Sequence, residues 1–336
     1  MEKHGGNVTD FSKEIGCTVD EVIDLSSNIN FIKPNINIDF NTLNISAYPN
    51  YDKLYQAVAT RYGIQTSNIE IFNGATVAIH TLFRELNLTH CTLYAPLYSE
   101  YIHCAEIYGY KTTLINRFKN LDQEIKEKSL IIFVNPSTPD GNYYLLEKLI
   151  KVWISKECTI IIDESFLDFT PYHSAIQYLN LYKKLYILKS MTKFYSSAGI
   201  RIGAVFSNPK AIKHIKSKEP LWKISQFDSQ YLQSALQSYR FIQNSNYHNK
   251  KAKEILIRIL KDSPWIEKIY HSDTNFILIK LKKISSKKLQ KELSLSKIMV
   301  RDCTNFHFLD NSFVRIAIKD KSKLKILKDR LSKIST

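Results

Sequence analysis

The stretch "SMTKFYSSAGIRIG", residues 190–203, places one lysine among hydroxyl side chains and one arginine eight positions later. An apolar run from Ile202 to Phe206 follows at once and predicts a buried strand. Hydroxyl groups and a guanidinium together are typical of a phosphate site. A lysine amine beside a phosphate can react with a carbonyl compound that carries one. The stretch therefore predicts a site for a phosphorylated carbonyl compound, in a chain whose strands and helices must support it.

Length and composition indicate a globular protein with one large and one smaller domain, because 336 residues exceed what one small core needs. Apolar residues make up 44% of the chain, yet no apolar run approaches the roughly 20 residues that span a bilayer. The start, "MEKHGGNVTD", lacks the apolar core of a signal peptide, so we expect a cytoplasmic protein without a membrane partner. The five cysteines are scattered without metal-ligand spacing, so we expect reduced thiols and no metal site.

The formal net charge of +15 leaves three classes of partner open: nucleic acid, a membrane surface and small anions. Many of the lysines lie in residues 280–292 and 319–333, where they alternate with leucine and isoleucine at helical spacing. This pattern is typical of the solvated faces of amphipathic helices. No nucleic-acid motif accompanies the lysines, so we expect no nucleic-acid partner.

The middle of the chain alternates short apolar runs with helical patterns. Continuous apolar runs of this length are typical of strands that helices bury on both faces. The predicted strands are 69–72, 91–95, 130–135, 158–164, 185–190 and 202–207, and the predicted helices include 76–87, 98–109 and 144–156. Strands that alternate with helices predict an α/β fold around a largely parallel sheet.

The pattern changes after Pro220. A long helical stretch is predicted over roughly 226–262, followed by strands at 275–280, 297–302 and 313–319 with helices between and after them. We therefore expect a large domain over 41–222, a small α+β domain over 223–336, and an N-terminal segment, 1–40, that packs with the small domain.

Chemically distinctive residues follow the predicted strands, at the edge where open α/β sheets bind ligands. A glycine and a helix start follow strand 69–72, in "NGATVAIH", and Tyr98 follows 91–95. The turn "PSTPDG" follows 130–135, Asp163 lies at the end of 158–164, and Lys193 follows 185–190. These ends offer an anion site, an aromatic ring, a carboxylate and an amine. A phosphorylated, cationic heteroaromatic aldehyde would use all of them.

The motifs resemble those of fold-type I pyridoxal-phosphate enzymes, the aspartate aminotransferase superfamily. Residues 190–203 resemble the Schiff-base signature, "DESFLDF" (163–169) resembles the Asp-Glu segment, and the order of motifs matches over residues 40 to 320. The resemblance implies a large, mostly parallel sheet domain with a smaller α+β domain. It also implies pyridoxal 5'-phosphate as cofactor.

The resemblance assigns a role to each matching residue. Lys193 would bond to the cofactor aldehyde and later move protons, Asp163 would pair with the ring nitrogen, and Tyr98 would stack on the ring. The phosphate would be held by Ser190, Arg201, Gly74, Ala75 and Thr76. Tyr48, in "AYPN", matches a tyrosine that reaches the cofactor phosphate of a neighbouring subunit, which implies a homodimer.

Two positions depart from the pattern of the superfamily. Thr138 stands where many relatives have an asparagine that donates to the ring hydroxyl of the cofactor. Phe166 stands where relatives often have a tyrosine with the same role, and phenylalanine cannot donate. A threonine can donate but has a shorter side chain than asparagine. The resemblance therefore does not assign a hydrogen-bond donor to the ring oxygen of the cofactor.

The two ends of the chain resemble the threonine-phosphate decarboxylase family of cobalamin biosynthesis. The matching segments are residues 4–30, which begin "HGGN", and "IMVRDCTNF" (298–306) with the strand after it. The resemblance implies a small phosphorylated amino acid as substrate, bound through His4, Asn28, Arg301 and Arg315. Two guanidiniums suit a substrate with a carboxylate and a phosphate.

Three functions follow from these patterns. The first is a decarboxylase that converts phosphothreonine to aminopropanol phosphate or phosphoserine to ethanolamine phosphate. The second is an aminotransferase of the histidinol-phosphate type, which shares the fold and uses a phosphorylated amine. The third is a nucleic-acid-binding or scaffold protein that kept the fold without the chemistry, and the presence of Lys193, Asp163 and Arg201 argues against it.

Overall fold

A computed structural model describes residues 5–334, and in that part of the chain no helix has the length and apolar character needed to cross a membrane. Its strands are β1 (Ile23–Asp24), β2 (Ile69–Phe72), β3 (His90–Ala95), β4 (Lys111–Asn116), β5 (Leu130–Val134), β6 (Thr159–Asp163), β7 (Leu185–Ser190), β8 (Gly203–Phe206), β9 (Ile266–Ile269), β10 (Phe276–Leu281), β11 (Ile298–Met299), β12 (Arg301–Asp302) and β13 (Phe313–Ala317). Its α-helices are α1 (Val8–Ile15), α2 (Asp52–Tyr62), α3 (Ala75–Leu86), α4 (Glu100–Ile107), α5 (Glu147–Ser155), α6 (Met191–Phe194), α7 (Pro209–Lys216), α8 (Gln226–Gln237), α9 (Tyr239–Lys261), α10 (Ser286–Ser294) and α11 (Lys321–Leu331).

Seven strands form the large sheet in the order β2-β8-β7-β6-β5-β3-β4. Only β8 runs against its neighbours, and the other pairs are parallel. Every residue of β5, β6 and β7 is buried, because helices cover both faces and two apolar clusters form there. The predicted α/β fold with a largely parallel sheet is confirmed.

Four strands form the small, antiparallel sheet in the order β12-β13-β10-β9. The N-terminal segment lies against this part of the molecule, since β1 pairs with β11 and Leu25 shares an apolar cluster with residues of β10 and β13. The backbone N–H of Ala317 donates to the Leu25 carbonyl at 2.7 Å. These contacts hold residues 26–28 beside the small sheet. The domain boundaries given above stay a prediction.

The long helical stretch predicted over roughly 226–262 consists of two helices, α8 and α9. Helix α8 ends and α9 begins at Ser238, whose ψ of 79° lies outside the helical range. Leu236 and Phe241 pack into the same apolar cluster. In a continuous helix, residues five apart would point about 140° away from each other, so the break lets both side chains reach one core.

Candidate active site

A cavity of about 360 Å³ opens at the carboxyl ends of the central strands of the large sheet, opposite β12 and β13 of the small one. Eleven residues selected from the sequence line it: Asn28, Ala75, Thr76, Tyr98, Thr138, Asp163, Ser190, Lys193, Arg201, Arg301 and Arg315. Gly74 lies directly behind Arg201. Tyr48 lies outside the cavity lining and is 74% exposed, and His4 lies outside the described residues.

Asp163 ends β6, and its buried carboxylate accepts three hydrogen bonds. The Tyr101 hydroxyl donates to Oδ2 at 2.7 Å, and the N–H and hydroxyl of Ser165 donate to Oδ1 at 2.8 and 2.5 Å. Burial raises the pKa of Asp163, and these hydrogen bonds oppose that rise because they favour the charged form. The arrangement holds an anionic acceptor ready for a cationic N–H group.

Lys193 lies on the short helix α6, which directly follows β7. Its backbone is held in place because its carbonyl accepts from the N–H of Asn30 at 3.0 Å. Burial, and then the positive charges of Arg315 and Arg201, lower the pKa of Lys193 from 10.5 to about 8. A lysine with this pKa carries a substantial neutral, nucleophilic fraction near neutral pH.

The first turn of α3 and the residues around it form a concentrated set of anion-binding donors. Among residues 5–334, no side chain caps the start of α3, where Gly74 has a φ of 86°. A Cβ on Gly74 would lie 2.6 Å from Nη2 of Arg201, and a Cβ on Gly203 would lie 2.6 Å from the N atom of Ala75. The glycines thus let the guanidinium approach the free N–H groups of the helix start, a ready anion site.

Two hydroxyl groups extend this anion site. The Ser190 and Thr192 hydroxyls lie 2.8 Å apart at the end of β7, and both side chains line the cavity. The sequence analysis does not predict Thr192 as a site residue, although its position next to Lys193 in residues 190–203 indicates it. Tyr101 and Ser165 were also missed. Their signals were the helical spacing of Tyr101 from Tyr98 and the spacing of Ser165 from Asp163, which allows an Asx-type hydrogen bond.

The opposite wall carries two arginines that are paired directly across neighbouring strands, Arg301 of β12 and Arg315 of β13. Arg315 donates to the Thr138 hydroxyl and to the Ser26 carbonyl, each at 3.0 Å. Burial, with Arg301 as a nearby like charge, lowers the pKa of Arg315 to about 10. Two guanidiniums on one wall make this part of the cavity suited to anionic groups of a ligand.

Arg301 and Asn28 complete this wall. Arg301 donates to Oδ1 of Asn305 at 2.7 Å and lies over the Phe306 ring, 5.1 Å from its centre. Asn28 is held through its carbonyl, which accepts from Asn275 at 2.9 Å. Its buried Oδ1 has no hydrogen-bond partner among residues 5–334. Because Asn28 also lines the cavity, this oxygen can accept a hydrogen bond from a polar ligand there.

The two departures from the superfamily pattern, Thr138 and Phe166, both line the cavity. The Thr138 oxygen accepts from Arg315, which leaves the hydroxyl proton of Thr138 free to be donated to a ligand. Phe166 also lines the cavity and packs against Phe276 with ring centres 5.0 Å apart. Of these two positions, only Thr138 has a proton to donate.

The model of the family "Aminotransferase class I and II" matches residues 8–331 of this chain. The chain is 33% identical to histidinol-phosphate aminotransferase of Buchnera aphidicola, with 84% of each protein covered. It is 24% identical to threonine-phosphate decarboxylase of Salmonella typhimurium, with 95% of this chain and 93% of that protein covered. It is 29% identical to the adenosylcobalamin biosynthesis bifunctional protein CobDQ of Leptospira interrogans over 99% of this chain, and it spans only 41% of that relative's length.

Solved structures give the same fold. The histidinol-phosphate aminotransferase of Clostridium acetobutylicum is 29% identical and superposes with a TM-score of 0.82, covering 91% of this chain and 97% of that one. The histidinol-phosphate aminotransferase of Sinorhizobium meliloti, solved with pyridoxal-5'-phosphate, gives a TM-score of 0.84 at 16% identity, covering 97% and 95%.

Proposed function

The chain belongs to the class I and II aminotransferase family of pyridoxal-phosphate enzymes, and we propose that it is a decarboxylase of an O-phosphorylated amino acid. The substrate would be O-phospho-L-threonine or O-phospho-L-serine. The observation that carries this proposal is the cross-strand pair of buried arginines, Arg301 and Arg315, on the wall opposite Lys193 and Asp163.

The residues of the cavity fit pyridoxal phosphate. The uncapped start of α3, Arg201 and the Ser190 hydroxyl form a donor set for its phosphate. Asp163 would pair with its ring nitrogen, Tyr98 would cover the ring, and the Lys193 amine would hold its aldehyde carbon. When bound, this cofactor supplies an electron sink for charge that develops at the substrate Cα.

Arg301 and Arg315 would bind the two anionic groups of the substrate. With the phosphate on Arg301 and the carboxylate beside Arg315, the substrate amine would lie in the same cavity as Lys193. His4, outside the described residues, and Asn28 would add contacts to the phosphate. A substrate with two anionic groups would place one beside each of the two guanidiniums.

Lys193 would also handle the proton at Cα. When the bond between Cα and the carboxylate breaks, the electron pair stays on the Cα side and carbon dioxide leaves. The ammonium form of Lys193 can then return a proton to Cα. Because the pKa of Lys193 is about 8, both its proton-donating and its neutral form are present near neutral pH.

The alternative is an aminotransferase of the histidinol-phosphate type, and the 33% identity to such an enzyme from Buchnera aphidicola favours it. In that reaction Lys193 would remove the Cα proton instead of returning one. The two functions differ in which bond of Cα is broken, so the products distinguish them.

The experiment is product identification with the purified, cofactor-loaded protein. Phosphothreonine and phosphoserine are each supplied without a keto acid, and carbon dioxide and the phosphorylated amine are measured. Histidinol phosphate with 2-oxoglutarate is assayed in parallel. Release of carbon dioxide with one molecule of amine per molecule consumed supports the decarboxylase, whereas turnover confined to histidinol phosphate with 2-oxoglutarate refutes it.

The substrate assignment has its own test in Arg301→Ala. Because a hydrogen bond to a charged group is worth about 1.5–3 kcal/mol, the apparent binding constant for the phosphorylated substrate should rise by roughly 10- to 150-fold. Arg301→Lys keeps the charge and is the matched control, with a smaller loss expected. If Arg301→Ala leaves the preference for phosphorylated over free amino acid unchanged, the phosphate lies elsewhere.

We also propose a homodimer. Tyr48 is exposed and stacks on Trp222, which is 54% exposed, with ring centres 3.9 Å apart. Phe40, Ile45 and Leu221 are further exposed apolar side chains from the same two stretches of chain. Apolar groups exposed together in this way support an interface in which Tyr48 reaches the neighbouring subunit.

A further inference from the structure

Tyr101 connects the first turn of α4 to the carboxylate at the end of β6. Its side chain is fully buried, and its hydroxyl donates to Oδ2 of Asp163 at 2.7 Å. Both hydrogen bonds from Ser165 go to the other oxygen, Oδ1. Within residues 5–334, Tyr101 therefore provides the hydrogen bond that Oδ2 receives.

We propose that Tyr101 is a positioning residue that keeps the Asp163 carboxylate ionised and correctly aimed for the ring nitrogen of the cofactor. The inference rests on the cofactor that the family uses and applies equally to a decarboxylase and an aminotransferase. In this role Tyr101 would affect how strongly the cofactor withdraws electrons from the substrate, although Tyr101 does not line the cavity.

The electrostatics of the pair support this role. Burial favours the neutral form of an isolated carboxyl group, and it raises the pKa of Asp163. Burial, and then the nearby Asp163 charge, also raise the pKa of Tyr101 well above its usual value, so the phenol keeps its proton and remains a donor. A neutral phenol beside a carboxylate stabilises the ionised form of that carboxylate.

The surroundings of Tyr101 hold the hydroxyl in place. Tyr98, one helical turn earlier, packs edge-on against Tyr101, with ring centres 6.4 Å apart and planes at 90°. Glu100, between them in sequence, is bound by Nε2 of His80 at 2.8 Å. His80 belongs to α3, whose first turn is the anion site. The start of α4 is thus attached to the phosphate-binding helix, to the stacking ring and to Asp163.

The direct test is a pH titration of Asp163 in cofactor-free protein. Carbon-13 NMR of labelled aspartate carboxyl groups monitors the titration, and the Asp163→Asn variant identifies the Asp163 signal. In Tyr101→Phe, the acid dissociation constant of Asp163 should fall about tenfold or more, because a hydrogen bond to the charged form is lost. Tyr110→Phe is the matched control. It removes a buried phenol that donates at 2.7 Å to the Phe83 carbonyl, away from the cavity, and it should leave the titration unchanged.

The second readout is a double-mutant cycle on turnover in the loaded enzyme. Tyr101→Phe should lower kcat at least tenfold with little change in KM. In an Asp163→Asn background, where no carboxylate remains to be ionised, the same change should lower kcat by less than about twofold.

An unchanged Asp163 titration in Tyr101→Phe overturns the proposal, and so does an equal loss of kcat in both backgrounds. The titration uses no substrate, so its result stands whichever reaction the enzyme catalyses. Thermal melting of Tyr101→Phe beside Tyr110→Phe shows whether the two proteins are equally well folded.

Discussion

The acidity of Lys193 leads to a quantitative prediction about how the cofactor-free protein captures its cofactor. An ordinary lysine with a pKa of 10.5 is about 0.03% neutral at pH 7, whereas a pKa of about 8 makes roughly 9% of the amine neutral. The reactive fraction is therefore about 300 times larger. Since only the neutral amine attacks an aldehyde, capture should speed up about tenfold per pH unit below 8 and level off above it.

The assay is stopped-flow mixing of cofactor-free protein with pyridoxal phosphate across this pH range, with the visible absorbance of the bound cofactor as signal. Charge removal tests the cause of the low pKa. After burial, Arg315 is the largest contributor, so Arg315→Met should move the midpoint of the profile upward from about 8. Arg315→Lys keeps a positive charge and should move it less.

A wild-type midpoint near 10.5 would refute this account, because it would mean that burial and the two guanidiniums have no net effect on the amine. An unchanged midpoint in Arg315→Met would exclude a charge effect of Arg315 and leave burial and Arg201 as the causes. The profile of Lys193→Ala provides the baseline, since any absorbance change in that variant comes from non-covalent binding.

Three further predictions concern the rest of the site and the assembly. Lys193→Ala should abolish turnover and the yellow colour, and near-normal turnover in this variant would contradict the role of Lys193. Asp163→Asn should lower the rate by orders of magnitude with less effect on cofactor affinity, and a loss below about tenfold, about 1.4 kcal/mol, would mean that the ring nitrogen is held by another group. Sedimentation should show a homodimer, and Tyr48→Ala should weaken cofactor binding in it; an active monomer at assay concentration would exclude the assignment of Tyr48.

The fold was predictable because its central strands are continuous apolar runs. Strands β5, β6 and β7 are buried on both faces, and that requirement is visible in every residue of their sequences. The edge strands β4 and β9 were missed for the opposite reason. Most of their residues are at least partly exposed, so "KTTLIN" and "IEKI" carry no continuous apolar signal.

The candidate site was only partly predictable. Residues that react or carry charge, such as Lys193 and Arg201, are recognisable in one short motif. Tyr101 has no distinguishing motif, because its role depends on the packing of α4 against β6, and a buried tyrosine is usually a core residue. The hydrogen bond that Arg315 donates to the Thr138 hydroxyl could not be predicted from the sequence either, since 177 positions separate the two residues.

We propose that the choice between decarboxylation and transamination depends on the wall that carries Arg315, because Lys193 and Asp163 would serve both reactions. Arg315 is held by the Thr138 hydroxyl and the Ser26 carbonyl, so its guanidinium can turn little toward a ligand. A carboxylate bound there would take one direction from Cα, and a phosphate on Arg301 would restrict rotation about that direction. The bond that breaks is the one aligned with the electron sink, so under the proposed substrate binding the position of Arg315 relative to Lys193 would select the reaction. Thr138, where many relatives have asparagine, accepts a hydrogen bond from Arg315 and would therefore contribute to that selection.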